Sequence, residues 1–196
     1  MKLQDRLPDG VEVRGKWVKL DFDFRNVLHM LDVLNNRDLI PEARNYLALK
    51  CLTKHPRHVP ETMAAVRAVL FIQGGDGEQK KLTDFEQDAP MIRTAFRQVY
   101  NIDLFRANLH WLEFIELLSN LPDGNRYMDV LGIRARPLPA PTKYNQKERE
   151  WLMKAKAAHA LHMSDEEQER YYEKAVQNVF SGLLKLAKEG GTTPNE

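Results

Sequence analysis

Along the first twenty residues the apolar positions alternate. Val11-Glu12-Val13-Arg14 and Lys16-Trp17-Val18-Lys19-Leu20 flank Gly15, and a period of two across a glycine predicts a short β-hairpin. Beyond Asp21 the period becomes helical. Asp23 reads as the N-cap of a helix through Val27, Leu28, Leu31 and Leu34 that stops at Asn35-Asn36. Pro41 takes a first-turn position in a second helix carrying Leu47, Leu49 and Leu52, and His55-Pro56 ends it. Pro60 opens a third helix through Met63, Val66, Val69 and Leu70, which gives way to Gly74-Gly75-Asp76-Gly77.

Asp88 with Pro90 predicts another helix start, with Ile92, Phe96, Val99 and Tyr100 on one face. Asp103 then reads as the cap of a long helix holding Leu104, Phe105, Leu109, Trp111, Phe114 and Leu118, broken at Pro122-Asp123-Gly124-Asn125. A shorter helix follows from Tyr127 to Ile133. Pro137-Leu138-Pro139-Ala140-Pro141 is extended and proline-stiffened. Past it, a helix over about 146–161 and a last helix capped at Ser164-Asp165-Glu166-Glu167 are expected. The fold class is therefore mainly α: a compact helical domain with a short N-terminal β-hairpin, followed by a C-terminal helical pair. The expected divisions are 1–136 for the hairpin and helical core, 137–145 for the linker, and 146–196 for the helical pair with a frayed tail.

The 196 residues are 43% hydrophobic and 29% charged, enough apolar mass for a real core, so global disorder is excluded. Lys+Arg at 29 against Asp+Glu at 28 leaves a net charge of +1. That balance argues against nucleic acid as a partner, because phosphate contacts need a local surplus of Lys and Arg. Arg93 and Arg97, Arg106, and Arg134 with Arg136 are interspersed with acids and read as solvated helix surface. The single cysteine, Cys51, lies in an apolar run and reads as an inert thiol. One thiol, a charged N-terminus and no apolar run of roughly eighteen residues predict a cytoplasmic protein that does not contact membrane.

No constellation points to catalysis. Gly74–Gly77 with Lys80-Lys81 lacks the spacing of a phosphate loop and follows a helix rather than a strand. His159 and His162 near Asp165 and Glu166 fall short of the convergent ligands zinc needs. His55 and His58 read as loop residues, and no Ser, Thr or Cys sits in a nucleophile motif. The expectation is a non-enzyme, with no catalytic, cofactor-binding or metal-ligating residue and no cofactor.

The stretch Phe96-Arg97-Gln98-Val99-Tyr100-Asn101-Ile102-Asp103-Leu104, followed by Asn108-Leu109-His110-Trp111-Leu112-Glu113-Phe114, resembles the Gp-fifteen family of bacteriophage tail-cluster proteins. In that family a Tyr-x-Ile-Asp-Leu segment precedes Leu-His-Trp and an aromatic-rich helix. Trp17–Arg25, a hairpin leading into Asp23-Phe24-Arg25, and Ile133-Arg134 extend the resemblance over about 11–136. Trp111-Leu112 stands where many relatives carry two tryptophans. The residues matching the motif are Tyr100, Asp103, Leu104, His110, Trp111, Phe114 and Arg134.

The resemblance implies a tail assembly chaperone, encoded beside the tape-measure gene, that binds the phage tape-measure protein while the tail tube assembles. It implies location in the host cell cytoplasm and absence from the mature virion. A frameshifted or neighbouring chaperone, or a second copy of the chain, is a further expected partner. The expected docking residues are those on the C-terminal pair: Trp151, Leu152, Tyr172, Val176, Phe180 and Leu184. The aromatic residues Trp111 and Phe114, with His110, are expected in the core. The alternatives are a structural tail or head-tail component retained in the virion, and a nucleic-acid-binding phage protein.

Overall fold

Arg14 and Gly15 both adopt positive φ, 52° and 72°, the left-handed pair that a two-residue hairpin turn requires. They join β1 (Gly10–Val13) to β2 (Lys16–Lys19), paired antiparallel with Val11 opposite Val18 and Val13 opposite Lys16. A Cβ at Gly10 would collide with the Val18 carbonyl and the Trp17 indole, so glycine is what lets the two strands close. β1 buries Val11 and Val13. This is a computed structural model, and it describes residues 4–70 and 81–162. The chain divides into two compact units, Met1–His159 and Ala160–Glu196; every element named here lies in the first.

Seven helices follow among the described residues: α1 (Phe24–Asn35), α2 (Pro41–Leu52), α3 (Val59–Leu70), α4 (Ala89–Tyr100), α5 (Trp111–Ser119), α6 (Arg126–Ala135) and α7 (Gln146–Ala158). The fold is mainly α with an N-terminal hairpin, as the patterning predicts. Local chemistry accounts for several ends. The Asp23 carboxylate accepts the Arg25 N–H at 2.9 Å to start α1, and Pro41 stands at the first turn of α2. Asn101, left-handed at φ 55°, closes α4. Asn125 Oδ1 accepts the Met128 N–H at 3.1 Å to start α6.

α1 packs on α2, α2 on α3, and α3 on β1; α4 packs on α6, and α6 on α7. Phe114 of α5 joins the groups, stacked on Phe24 at 4.8 Å and on Phe96 at 5.3 Å between ring centroids. Phe85 and Trp111 meet edge to face beside it. Such pairs add about 0.5–1.5 kcal/mol each beyond the area they bury.

Three expectations are corrected. The continuous apolar pattern from Leu104 to Leu118 is not one helix. The Asp103 carboxylate accepts the Phe105 N–H at 3.1 Å and so turns the chain, and α5 begins only at Trp111. The carbonyls of Leu104 and Ala107, which a helix would satisfy itself, accept instead from Arg25 Nη2 at 2.9 and 2.8 Å. Asp88 precedes α4 but makes no side-chain cap, because its wholly buried carboxylate is taken by Arg134. α7 lies in the first unit, Met1–His159. Before it, Asn145 Nδ2 donates to the Ala140 carbonyl at 2.9 Å, and its Oδ1 accepts the Thr142 N–H at 2.9 Å. Finally, α7 ends at Ala158 rather than near Leu161. The Gly74–Gly77 turn and the helix expected after Ser164 lie outside the described residues.

Candidate functional site

The segments carrying the Asp23-Phe24-Arg25 and Leu109-His110-Trp111 motifs meet in space. Phe24 N–H donates to the Leu109 carbonyl at 3.0 Å, and Trp111 N–H donates to the Phe22 carbonyl at 2.8 Å. They form a one-residue antiparallel bridge, Asp23 opposite His110. His110 then caps α5, its Nδ1 accepting the Leu112 N–H at 3.1 Å. An accepting Nδ1 places the proton on Nε2, which donates to the Pro8 carbonyl at 3.0 Å. The ring also meets Phe22 edge to face. A cleft of about 580 Å3 opens beside this junction, lined by Leu20, Asp21, Phe22, Leu109 and His110 among others. Both nitrogens of its imidazole are already engaged, so the ring acts as a brace rather than a base.

The other motif residues are equally structural. Tyr100 Oη donates to the Leu117 carbonyl at 2.9 Å, tying the end of α4 to α5. Leu104, Trp111 and Phe114 are buried. The Phe105 N–H bonded to Asp103 holds that carboxyl below its ordinary range against a smaller opposing effect of burial, with Arg97 and Arg106 helping. Arg134 is 6% exposed and Asp88 0%. Arg134 Nη1 and Nη2 donate to the two Asp88 oxygens at 2.6 and 2.9 Å. Its remaining donors reach the Leu82 carbonyl at 2.9 Å and the His159 carbonyl at 2.6 Å. One side chain therefore locks the approach to α4, the end of α6 and the end of α7 together.

The structure treats the expected docking residues differently. Trp151 is 55% exposed on α7. Its neighbour Leu152 is 0% exposed and belongs to the core, which corrects its place in the docking set. Lys156 Nζ donates to the Arg134 carbonyl at 2.9 Å, so this side of α7 is held against α6. Tyr172, Val176, Phe180 and Leu184 lie outside the described residues. Sequence reasoning missed Met153, Leu138 and Tyr144, the last 99% exposed, which with Trp151 put four large apolar side chains in or just before α7. The signal was available in part, since Leu138 and Tyr144 flank the prolines. It also missed Phe105, 72% exposed, because the long-helix pattern absorbed it.

Reactive chemistry is sparse. The Cys51 thiol donates weakly to the Leu47 carbonyl at 3.5 Å. Burial first, and the Asp32 charge second, push its pKa up and disfavour the thiolate. Among the described residues, no group of three His, Cys, Asp or Glu side chains is placed to hold a metal ion. Nor is any helix there long and apolar enough to cross a membrane. The described surface instead carries exposed apolar side chains on a scaffold braced by buried polar contacts.

No curated protein and no solved structure matches the chain. The model of one protein family does, described as Bacteriophage Gp15 protein, over residues 3–161. That span takes in the hairpin, the two motifs that bridge at Asp23 and His110, the Arg134 lock and the whole of α7. With most of its length so matched, the chain belongs to the bacteriophage Gp15 protein family.

Proposed function

We propose that this phage protein is a tail assembly chaperone, a binding protein without catalysis that shields the tape-measure protein in the host cytoplasm and is absent from the finished particle. The observation that carries the reading is α7. Leu152 anchors this helix in the core while Trp151 and Met153 stay half exposed beside it. An apolar display on a braced helix is what a long, helical, aggregation-prone client needs, and helix-to-helix docking is its natural mode. Near-neutral charge fits a client recognised by its apolar face rather than by phosphate.

The test is co-purification of the full chain with the tape-measure protein encoded in the same phage. The wild type should capture it, and W151A/M153A should lose at least about tenfold in affinity with an unchanged melting temperature. Equal capture by the double variant overturns the assignment of α7. Mass spectrometry of purified particles addresses the role itself: a chain retained at structural stoichiometry makes it a virion component.

A further inference from the structure

Of the thirteen residues of α7, Leu152 is the buried one, whereas α5 buries three of its nine, Trp111, Phe114 and Leu118. α7 packs on α6, and two bonds to Arg134 fasten that contact. Arg134 Nε donates to the His159 carbonyl at 2.6 Å, and Lys156 Nζ donates to the Arg134 carbonyl at 2.9 Å. The ion pair of Arg136 with Glu148, at 2.8 Å, is half exposed on both sides and adds little in water. Residues 136–144, which lead into α7, are exposed apart from Pro139. Pro137, Pro139 and Pro141 have no N–H to offer the core. Asn145 bonds back to Ala140 and Thr142, so this segment is tied to the start of α7.

We infer that α7 and residues 137–145 form a strap that opens from α6 as one piece while the rest of the fold stays closed. Arg134 sets where the opening stops. Its Nη1 and Nη2 hold both Asp88 oxygens, and Nη1 also reaches the Leu82 carbonyl. None of these partners lies on α7. Departure of the strap therefore takes from Arg134 one of its four donated bonds, the one from Nε, and leaves the buried carboxylate paired. Stranding a buried charge is what makes breaking such a lock costly, and this opening avoids it. A helix with one buried side chain and an exposed lead-in belongs to the low-stability end of a fold. Opening adds Leu152 to the already half-exposed Trp151 and Met153. It follows from how α7 is held and does not require the client proposed above.

Hydrogen exchange of the full chain, read by mass spectrometry across a urea series below the unfolding midpoint, tests this. Amides in the middle of α7, around Leu152, should exchange at least about tenfold faster than the slowest amides of α4 and α6, with a weaker urea dependence. V66A thins the core on α3, where Val66 is fully buried. It should speed exchange in α4 and α6 and leave α7 unchanged, because a separate opening does not pass through global unfolding. K156M removes the bond to the Arg134 carbonyl and should speed α7 by about threefold. One common rate for the three helices, or equal acceleration of all three by V66A, means that α7 leaves only when the whole chain unfolds, and overturns the inference. Rates rising from Leu152 toward both ends of α7 overturn it too, since that is fraying rather than opening as one piece. An α7 indifferent to K156M overturns the part given to the Arg134 fastening.

Discussion

Replacing Arg134 by methionine keeps most of the apolar stem and removes four donated hydrogen bonds: two to Asp88 and one each to the carbonyls of Leu82 and His159. The larger effect is the carboxylate left behind. Asp88 is 0% exposed, and breaking a buried pair from one side costs about 3–5 kcal/mol because the partner is stranded away from water. For a protein of this size that corresponds to a fall of roughly 10 °C in melting temperature. R134M/D88N removes the stranded charge while Asn can still accept the Asp84 N–H that now reaches Asp88 at 3.0 Å. The double variant should regain about 1–3 kcal/mol relative to the sum of the single losses. Urea unfolding of the full chain gives each difference from the midpoint at constant slope. A loss below about 1 kcal/mol for R134M, or strict additivity in the cycle, refutes the reasoning, since either means the pair is not the buried lock described here.

Adjacent residues on α7 should give opposite readouts: L152A costs about 2–5 kcal/mol in urea unfolding, whereas W151A stays within about 0.5 kcal/mol of wild type. H110A removes both the α5 cap and the tether to Pro8 and should cost about 1–2 kcal/mol. H110N should recover part of that, because Asn is itself a good N-cap, and equal losses for the two variants would deny the capping role. Asp84 gives an acid-limb prediction. Burial raises its pKa, but the Gln87 and Glu86 N–H groups and the Lys81 ammonium outweigh that, so the net shift is downward. The folded state then takes up a proton less readily than the unfolded one. The stabilisation is present above the ordinary carboxylate pKa and is lost as pH falls through the lower folded value. D84N should therefore flatten the acid side of a stability-versus-pH curve, and an unchanged curve contradicts the assignment.

What could be read from the chain alone was what short stretches decide for themselves. Asp23 as a cap, Pro41 in a first turn, the break at Pro122–Asn125 and the alternation around Gly15 are all local, and the structure follows them. The misreadings fall where a distant partner overrides a local rule. Asp88 has the position and type of a cap, but Arg134, 46 residues on, claims its carboxylate. Leu104–Leu118 has helical spacing, yet Arg25 and the backbone at Phe22 and Phe24, more than 75 residues earlier, take up the groups a helix would have paired. On α7 two adjacent apolar residues look interchangeable. α7 packs on α6, with Leu152 buried and Trp151 half exposed. The motif residues carried the family membership, but the structure spends them mostly on bracing the core, so they say little about which surface meets a partner.

The bridge between Asp23 and His110 has a bearing on how the chain is made. α1 is synthesised long before the backbone groups at Leu109 and Trp111 that receive its leading edge, and Phe24 has no ring to stack on until Phe114 leaves the ribosome. Contacts so far apart in sequence form late. A nascent chain halted before Trp111 therefore holds its hairpin and first three helices without the contacts from Leu109, Trp111 and Phe114 that cover the leading edge of α1, and that edge stays open until translation passes that point.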